Sequence, residues 1–280
     1  MFKIILYALI VIIATVAGSS TGLGGGVVIK PMFDLIGNLS TATVNFYSSL
    51  AVFTMSVVSV FRQIKRGFSF NMKVLLSIST GAIVGWFLGQ WLLIEFVRLV
   101  NPTYTKIIQS IMLCIMLISV LIYSLNKKHI RTFHICNLLV ILLLGLFLGT
   151  FSVFLGIGGG PINVALTMIL FSFQMREAAV YSVGIIFFAQ LMKLSTVFIG
   201  SGKYQIKFNL LIMIVVIFAA IIGGFVGTII NRRASDKNLD RIYNWMIIVL
   251  IGITIFNAIR FIIIWLIFWK CNKLKLLVWN

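Results

Sequence analysis

The chain has 280 residues, of which 61% are hydrophobic and only 10% are charged, whereas soluble domains average about 45–50% apolar and about 25% charged residues. This composition excludes an ordinary soluble domain and indicates an integral membrane protein that is surrounded by a lipid bilayer. The formal net charge of +18 does not indicate nucleic-acid binding, because most lysines and arginines lie in short segments between apolar runs, the pattern of loops facing an anionic leaflet.

Eight predominantly apolar runs are long enough to cross a bilayer as helices, since a span needs about 17–25 residues. They cover residues 4–20, 42–61, 74–94, 107–125, 137–155, 178–199, 208–230 and 242–266. The first run resembles a signal peptide, but an equivalent run occurs halfway along the chain, so we interpret it as an uncleaved helix. Two shorter apolar pieces, 27–36 and 162–173, each amount to half a span.

Two glycine clusters, GLGGG at 22–26 and GIGGG at 156–160, immediately precede the two short pieces. One straight helix from Lys3 to Ile36 would be about 50 Å long, against a hydrocarbon core of about 30 Å. Each glycine costs about 1 kcal/mol relative to alanine in a helix interior, so the glycines predict a break, and Pro31 adds a second irregularity. Because non-helical backbone at membrane depth must be enclosed by protein or by a water-filled cavity, the breaks should face the interior.

The glycine clusters belong to a longer repeat. GLGGGVVIKPMFDLIG aligns with GIGGGPINVALTMILF at an offset of 134 (156 against 22), and AIVGWFLG at 82–89 aligns with AIIGGFVG at 220–227 at an offset of 138. The prediction is an all-α polytopic membrane protein with two homologous four-helix halves, residues 1–130 and 131–280, each with a glycine-rich break and a short half-helix. Such duplication is typical of secondary transporters, whose sites lie between the repeats. Whether the halves are parallel or inverted is left open.

Loop charge predicts the orientation. With eight crossings, the N-terminus, the loops 62–73, 126–134 and 200–207 and the C-terminus share one side, which collects most of the basic residues. Both termini are therefore predicted to be cytoplasmic. The loop 231–241 opposes this prediction, since it places four further lysines and arginines outside.

The glycine clusters are also the first candidate binding elements. A glycine-rich turn that opens a helix exposes backbone N–H groups at the positive end of the helix dipole, which favours anions. Two such turns could converge on one small anion; the alternative is close helix packing through small residues. The candidate residues of the turns are Gly24, Gly25, Gly26, Pro31, Gly158, Gly159, Gly160 and Pro161.

Polar side chains inside the apolar runs are the second set of candidates. Ser40 or Thr41 is expected to cap the second long helix. Hydroxyl groups in membrane helices either line a polar path or bond locally and across helices. A charge in a span is costly, and the lysine in this set either reaches the surface or provides a counter-charge for an anion. The set comprises Asn45, Ser48 and Ser49 on one face, Ser182 at the repeat position of Ser48, and Gln190 and Lys193.

Few acidic residues are available for other roles. Lys30 and Asp34 stand at i, i+4 on the first short helix and can pair, and Asp34 is the candidate for proton coupling. Arg176 and Glu177 are expected to form an interfacial pair. No enzyme, metal site or cofactor is predicted, because catalytic and metal-ligand spacings are missing and the three cysteines show no CxxC pattern.

The motif GLGGGVVIKP, repeated as GIGGGP halfway along an eight-span chain, resembles the sulfite exporter TauE/SafE family over nearly the whole sequence. In one departure, the second copy has Ala165 where the first has Pro31, and its proline is Pro161. Proline is well tolerated at a first helical position, so the turn is expected to survive with a different entry angle. The resemblance implies a multi-pass permease for small anions or organosulfur compounds.

Together, the repeat and the resemblance predict secondary transport of a small anion, such as sulfite or an organosulfonate, by alternating access. Export is the predicted direction, and the plasma (inner) membrane is the predicted location. A passive anion channel and a non-transporting membrane scaffold are the alternatives. The substrate, the coupling ion and the oligomeric state are left open by the sequence.

Overall fold

The computed structural model describes residues 2–36, 39–100, 102–155, 159–199 and 209–278. Over these ranges the chain forms helices and no strand. The ten helices are α1 (Phe2–Thr21), α2 (Gly26–Ile36), α3 (Thr41–Lys65), α4 (Met72–Val100), α5 (Pro102–Asn126), α6 (Leu138–Leu155), α7 (Gly160–Phe171), α8 (Met175–Ile199), α9 (Leu210–Arg233) and α10 (Asp236–Val278).

Eight of the described helices are long and apolar enough to cross a membrane, which confirms the prediction of eight spans. The other two are the short helices that follow the glycine clusters, α2 with 11 residues and α7 with 12. The predicted cap of the second long span is also present, since the Ser40 hydroxyl accepts a hydrogen bond from the backbone N–H of Thr43 at 3.2 Å.

The first glycine cluster turns the chain back along α1. Gly22, Gly24 and Gly25 have φ angles of 81°, 79° and 66°, in the left-handed region that side chains with a Cβ rarely enter. A Cβ on Gly25 would lie 2.8 Å from the carbonyl oxygen of Ala14. At the far end of α2, the ring of Phe33 lies 4.6 Å from that of Tyr7. α2 therefore returns the chain toward the level at which α1 begins.

Contacts between α1, α3 and α9 fix the direction of these helices. Gly223 packs against Thr15 and Gly227 against Ser19, so α1 and α9 are parallel. Thr228 hydrogen-bonds to Ser59, and three residues later Asn231 bonds to Gln63, so α3 is parallel to both. We call the end of the bundle where α1 begins the terminal face, and the end where α1, α3 and α9 finish the basic face.

The basic face gathers three loops that the sequence had divided between two sides. Lys127 at the start of the 127–137 connection pairs with Asp240, and Gln63 bonds to Asn231. The prediction that the 62–73 loop shares a side with the N-terminus is therefore wrong, because α2 carries the chain back before α3 begins. Twelve basic residues lie on this face, including the group that opposed the predicted orientation: Arg62, Lys65, Arg66, Lys73, Lys127, Lys128, Arg131, Arg176, Arg232, Arg233, Lys237 and Arg241.

Glycines let two pairs of helices approach closely. Gly81 and Gly85 on α4 lie against the backbone of α6, where a Cβ would overlap the carbonyl oxygens of Leu142 and Leu146. This register makes α4 and α6 parallel, so α6 runs from the basic to the terminal face, opposite to α1. Gly89 packs against Thr150 and Val153, and Gly227 packs against Val16 and Ser19. The repeat offsets relate these contacts, since Gly89 corresponds to Gly227, Thr150 to Val16 and Val153 to Ser19. Small residues at such crossings let backbones pack in van der Waals contact.

Candidate functional site

The two glycine turns meet inside the bundle. Gly160, at the start of α7, packs directly on the backbone of Leu23 in the first turn. The Ser182 hydroxyl on α8 donates a 2.7 Å hydrogen bond to the carbonyl oxygen of Gly22. Gly159 precedes α7 with a φ of 86° and Pro161 follows in the first turn of the helix, the position where a proline needs no N–H partner. Gly158 lies outside the described residues.

A small polar cavity of about 30 Å³ adjoins the first turn, which exceeds the roughly 10–15 Å³ that a cavity needs to hold one water molecule. It lies among α2, α3 and α8. The cavity brings together seven of the residues predicted as candidates: Gly24, Gly26, Asn45, Ser48, Ser49, Gln190 and Lys193. Lys30, Leu23 and Val52 complete its lining.

The remaining candidates stand nearby without lining this cavity. Gly25 faces α1, Ser182 is buried under the first turn, and Gly160 and Pro161 are buried at the start of α7. Pro31 lies within α2, where it is partly buried. The side chain of Asp34 is outside the described part of α2, so its role in coupling stays a prediction. The polar cavity is therefore built on the first glycine turn, and the second turn supports it through Leu23.

A larger cavity of about 380 Å³ shares four lining residues with the small polar cavity and continues toward the terminal face. The shared residues are Lys30, Asn45, Gln190 and Lys193. From there the cavity runs between α4, α5 and α6 to Lys106, which is exposed. A volume of this size falls in the range of ligand sites, about 300–1,000 Å³.

Sequence reasoning missed the part of this lining that comes from α4, α5, α6 and α7. The missed polar or aromatic residues are Trp86, Gln90, Lys106, Gln109, Ser152 and Asn163. Gln90 and Gln109 carried a usable signal, because an uncharged amide inside an apolar run has to find a polar partner. Gln109 finds one in the carbonyl oxygen of Phe154 at 2.6 Å, near the end of α6.

The charge of the two cavities is positive. Lys30, Lys106 and Lys193 line them, and none of the lining residues that the structure describes is an aspartate or glutamate. Among the described residues, no carboxylate lies within salt-bridge distance of Lys193. A cationic group in a low-dielectric interior attracts anions more strongly than it would in water. The arrangement therefore favours a small anion as the occupant.

Three buried side-chain atoms lack hydrogen-bond partners in the described structure. Two of them, Oδ1 of Asn163 and Oε1 of Gln190, lie in the wall of the larger cavity, and the third is Oγ of Ser79 on α4. Leaving a buried polar atom unpaired costs about 1–3 kcal/mol. Such departures from full pairing concentrate at functional sites. The place of the two amide oxygens in the lining of one cavity marks this region, rather than the apolar core, as the functional part of the bundle.

Arg176 does not pair with Glu177 as expected. Its guanidinium donates hydrogen bonds to the carbonyl oxygens of Asn231 at 3.2 Å and Ala234 at 2.6 Å, and its backbone N–H donates to Asp236. The reason is geometric, since the turn between α9 and α10 presents free carbonyls to the start of α8. In the part of the chain that the structure describes, no three His, Cys, Asp or Glu side chains cluster as a metal site would require.

Comparison with known proteins identifies a family and relatives that are named as membrane transporters. The sequence pattern of the family described as sulfite exporter TauE/SafE matches residues 7–254. A protein of Bacillus subtilis (strain 168) named "Probable membrane transporter protein YunE" is 25% identical over 261 residues, covering 86% of this chain and 93% of that protein. A similarly named protein of Methanocaldococcus jannaschii is 26% identical over 259 residues, covering 85% and 91%. No solved structure matches the chain significantly.

Proposed function

Because the chain belongs to the sulfite exporter TauE/SafE family of membrane transporters, we propose that it carries a small anion, such as sulfite or an organosulfonate, across the plasma membrane. The observation behind this proposal is the pair of connected cavities whose described lining contains three lysines and no carboxylate. A site for a cation would need the opposite charge. The secondary-transport mechanism and the direction of export are part of the same proposal.

The proposed binding point is the small polar cavity at the start of α2. Lys30 and Lys193 supply positive charge there, and Asn45 and Ser48 supply neutral hydrogen-bond donors. The first turn of α2 adds the positive end of its dipole. A cavity of about 30 Å³ is far smaller than ligand sites of about 300–1,000 Å³, so we expect anion binding here to involve an adjustment of α2, α3 or α8.

Alternating access fits the directions of the helices. α1 and α6 are equivalent in the proposed repeat yet run in opposite directions, which makes the two halves inverted. Inverted repeats with broken helices at their interface are a common transporter architecture, in which the two halves rock around a central site. The larger cavity lies toward the terminal face, so the structure corresponds to the state that is open on that side.

The distribution of charge supports an orientation opposite to the one predicted from sequence. Twelve of the 23 lysines and arginines lie on the basic face, whereas the described residues toward the terminal face include Lys3, Arg98, Lys106 and Arg260. Lys/Arg-rich loops favour the cytoplasm. We therefore assign the basic face to the cytoplasm and the open cavity to the outside.

Purified protein in proteoliposomes tests the function. We expect saturable uptake of a labelled sulfur oxyanion or sulfonate that is accelerated when the same anion is present on the opposite side. Flux that neither saturates nor responds to the opposite side would identify a passive channel. Flux no higher than in protein-free liposomes, for sulfite, thiosulfate, sulfate and several sulfonates, would overturn the proposal and favour a scaffold.

A further inference from the structure

The large cavity has a closed counterpart on the other side of the bundle. Each residue that lines the cavity has a repeat position in the other half. For residues of α6 and α8 this position is found by subtracting 134, and for residues of α4 by adding 138. Lys193 and Gln190 on α8 correspond to Ser59 and Ser56 on α3, and Gln90 on α4 corresponds to Thr228 on α9. Ser59 is 2% exposed, while Ser56 and Thr228 are 0% exposed. Positions that surround open space on the terminal side are thus fully packed on the basic side.

The packed region is unusually polar for the interior of a membrane bundle. The repeat positions of Gly149 and Val153 are Thr15 and Ser19 on α1, both buried. The Ser19 hydroxyl is within 3.2 Å of the carbonyl oxygen of Gly223, and Thr228 bonds to Ser59 at 3.2 Å. Buried hydroxyl groups of α1 and α3 therefore both contact α9 along a seam that runs from the small polar cavity toward the basic face.

We propose that this seam between α1, α3 and α9 is the second half-channel for the same anion, closed in this structure by hydrogen bonds to Asn231. This inference rests on the proposed transport function, and it adds the route and the gate. The hydroxyl and amide groups of the seam would solvate an anion once the helices separate. Arg62 stands at its outer end, where its guanidinium covers the ring of Phe225 at 3.5 Å and donates to the Phe225 carbonyl oxygen.

Asn231 holds three other helices at the basic end of the seam. Its side-chain nitrogen donates to the carbonyl oxygen of Ser20 on α1 at 2.8 Å, and its side-chain oxygen accepts from Gln63 on α3 at 3.1 Å. Its backbone carbonyl oxygen accepts from Arg176 on α8. The residue is 0% exposed, so these bonds are shielded from water.

The corresponding position on the open side cannot form this gate. The repeat partner of Asn231 is Leu93 on α4, which lines the large cavity. A leucine side chain has no hydrogen-bonding group, so α4 is not tied to neighbouring helices at this point. The difference between Asn231 and Leu93 thus accounts for which side is closed in this structure.

Cysteine labelling tests the gate without requiring transport. In a variant with all three native cysteines replaced by serine, Ser56→Cys reports on the seam and Ala189→Cys on the open cavity. A soluble maleimide is expected to label Ala189→Cys readily and Ser56→Cys slowly. Adding Asn231→Leu removes two side-chain hydrogen bonds, which should raise the labelling rate of Ser56→Cys by about 10- to 30-fold and lower that of Ala189→Cys.

Asn244→Leu is the matched control. Asn244 is also an asparagine in a membrane helix and also joins the two halves, since its side-chain oxygen accepts from Ser124 at 2.5 Å, but it lies between α5 and α10, away from the seam. The Asn244→Leu substitution should leave the labelling rates of Ser56→Cys and Ala189→Cys within about twofold of their values without it. Equal rates for Ser56→Cys with and without Asn231→Leu would overturn the proposal, as would an equal effect of the control.

A reversible cross-link covers the case in which Asn231→Leu does not fold. Ser59→Cys with Thr228→Cys places two thiols where the hydroxyl oxygens are 3.2 Å apart, within reach of a disulfide. Oxidation should abolish transport, reduction should restore it, and the anion should still raise the thermal stability of the oxidised protein. Thr132→Cys with Ser172→Cys, whose hydroxyls are 2.7 Å apart on the basic face, is the control pair and should transport in both states.

The results separate the gate from the transport function. Continued transport by the oxidised Ser59–Thr228 pair would refute the second half-channel while leaving anion transport intact. Absence of transport in the reduced pair and in the parent protein would count against the proposed function. In that case, the labelling experiment still decides whether Asn231 closes the seam.

Discussion

Lys193→Gln is the most direct test of the anion site. Lys193 lines both cavities, is partly buried, and has no carboxylate partner among the described residues. Glutamine keeps much of the length and the hydrogen-bonding capacity of the side chain while it removes the charge. A hydrogen bond to a charged group contributes about 1.5–3 kcal/mol. At about 1.4 kcal/mol per factor of ten, the substitution should weaken anion binding by about 10- to 150-fold.

Lys106→Gln provides the internal comparison. Lys106 lines the same large cavity, but at its exposed end on α5. An exposed charge is screened by water and contributes at most about 1 kcal/mol, so binding should weaken by less than about fivefold. The ratio of the dissociation constants of the two variants, rather than either constant alone, tests whether the anion binds at the inner end of the cavity.

Titration calorimetry of the purified protein with sulfite or a sulfonate measures both dissociation constants, and the shift in thermal stability at saturating anion gives a second estimate. The folded state of each variant is checked by its unliganded melting temperature. Equal weakening by the two substitutions would place the anion in the outer part of the cavity. Unchanged binding by Lys193→Gln would remove this lysine from the site and refute the reasoning from charge.

Three further predictions concern the turn, the packing and the orientation. Gly25→Ala should lower the free energy of unfolding by about 1–3 kcal/mol, since alanine is strained at positive φ, and thermal denaturation in detergent measures the loss. Gly85→Leu should lower the melting temperature because its side chain would overlap the Leu146 carbonyl, whereas Gly252→Leu, with nothing within 4 Å, should not; equal effects would contradict the packing register. In a variant whose only cysteine is Cys136, an impermeant maleimide should label intact cells only after permeabilisation, and immediate labelling would place the basic face outside.

The sequence predicted the parts of the fold that depend on length and composition. Eight apolar runs became eight spans, because the thickness of a bilayer leaves little freedom in the length of a membrane helix. The break after Thr21 was predictable because Lys3 to Ile36 cannot fit in one crossing. The ends of α4 and α10 were placed less well, since polar residues at the interface are compatible with either helix or loop.

The lining of the cavity could be predicted only in part. Residues of α2 and α3 were found because they follow the glycine turn closely in sequence, as Asn45 and Ser48 do. Trp86 and Gln90 were missed because α4 shows no clear apolar side: lipid is as apolar as a protein core, so the pattern of hydrophobic residues does not reveal which face of a span looks inward. Besides the amide group of Gln90 itself, the repeat offset was a second available signal, since it equates Gln90 with Thr228 in another apolar span.

The two short helices decide the relation between the proposed halves. Four spans in each half would return the chain to its starting face, which makes the halves parallel and places the 62–73 loop beside the N-terminus. α2 instead runs back along α1, as the contacts of Gly25 with Ala14 and of Phe33 with Tyr7 show. Each half then makes five passes, an odd number, so the second half begins on the opposite face and α6 runs against α1. The same step that inverts the halves brings all three basic loops to one face, because the 62–73 and 127–137 loops, which lie between α2 and α7, change side, whereas the 231–241 loop follows α7 and keeps its predicted side.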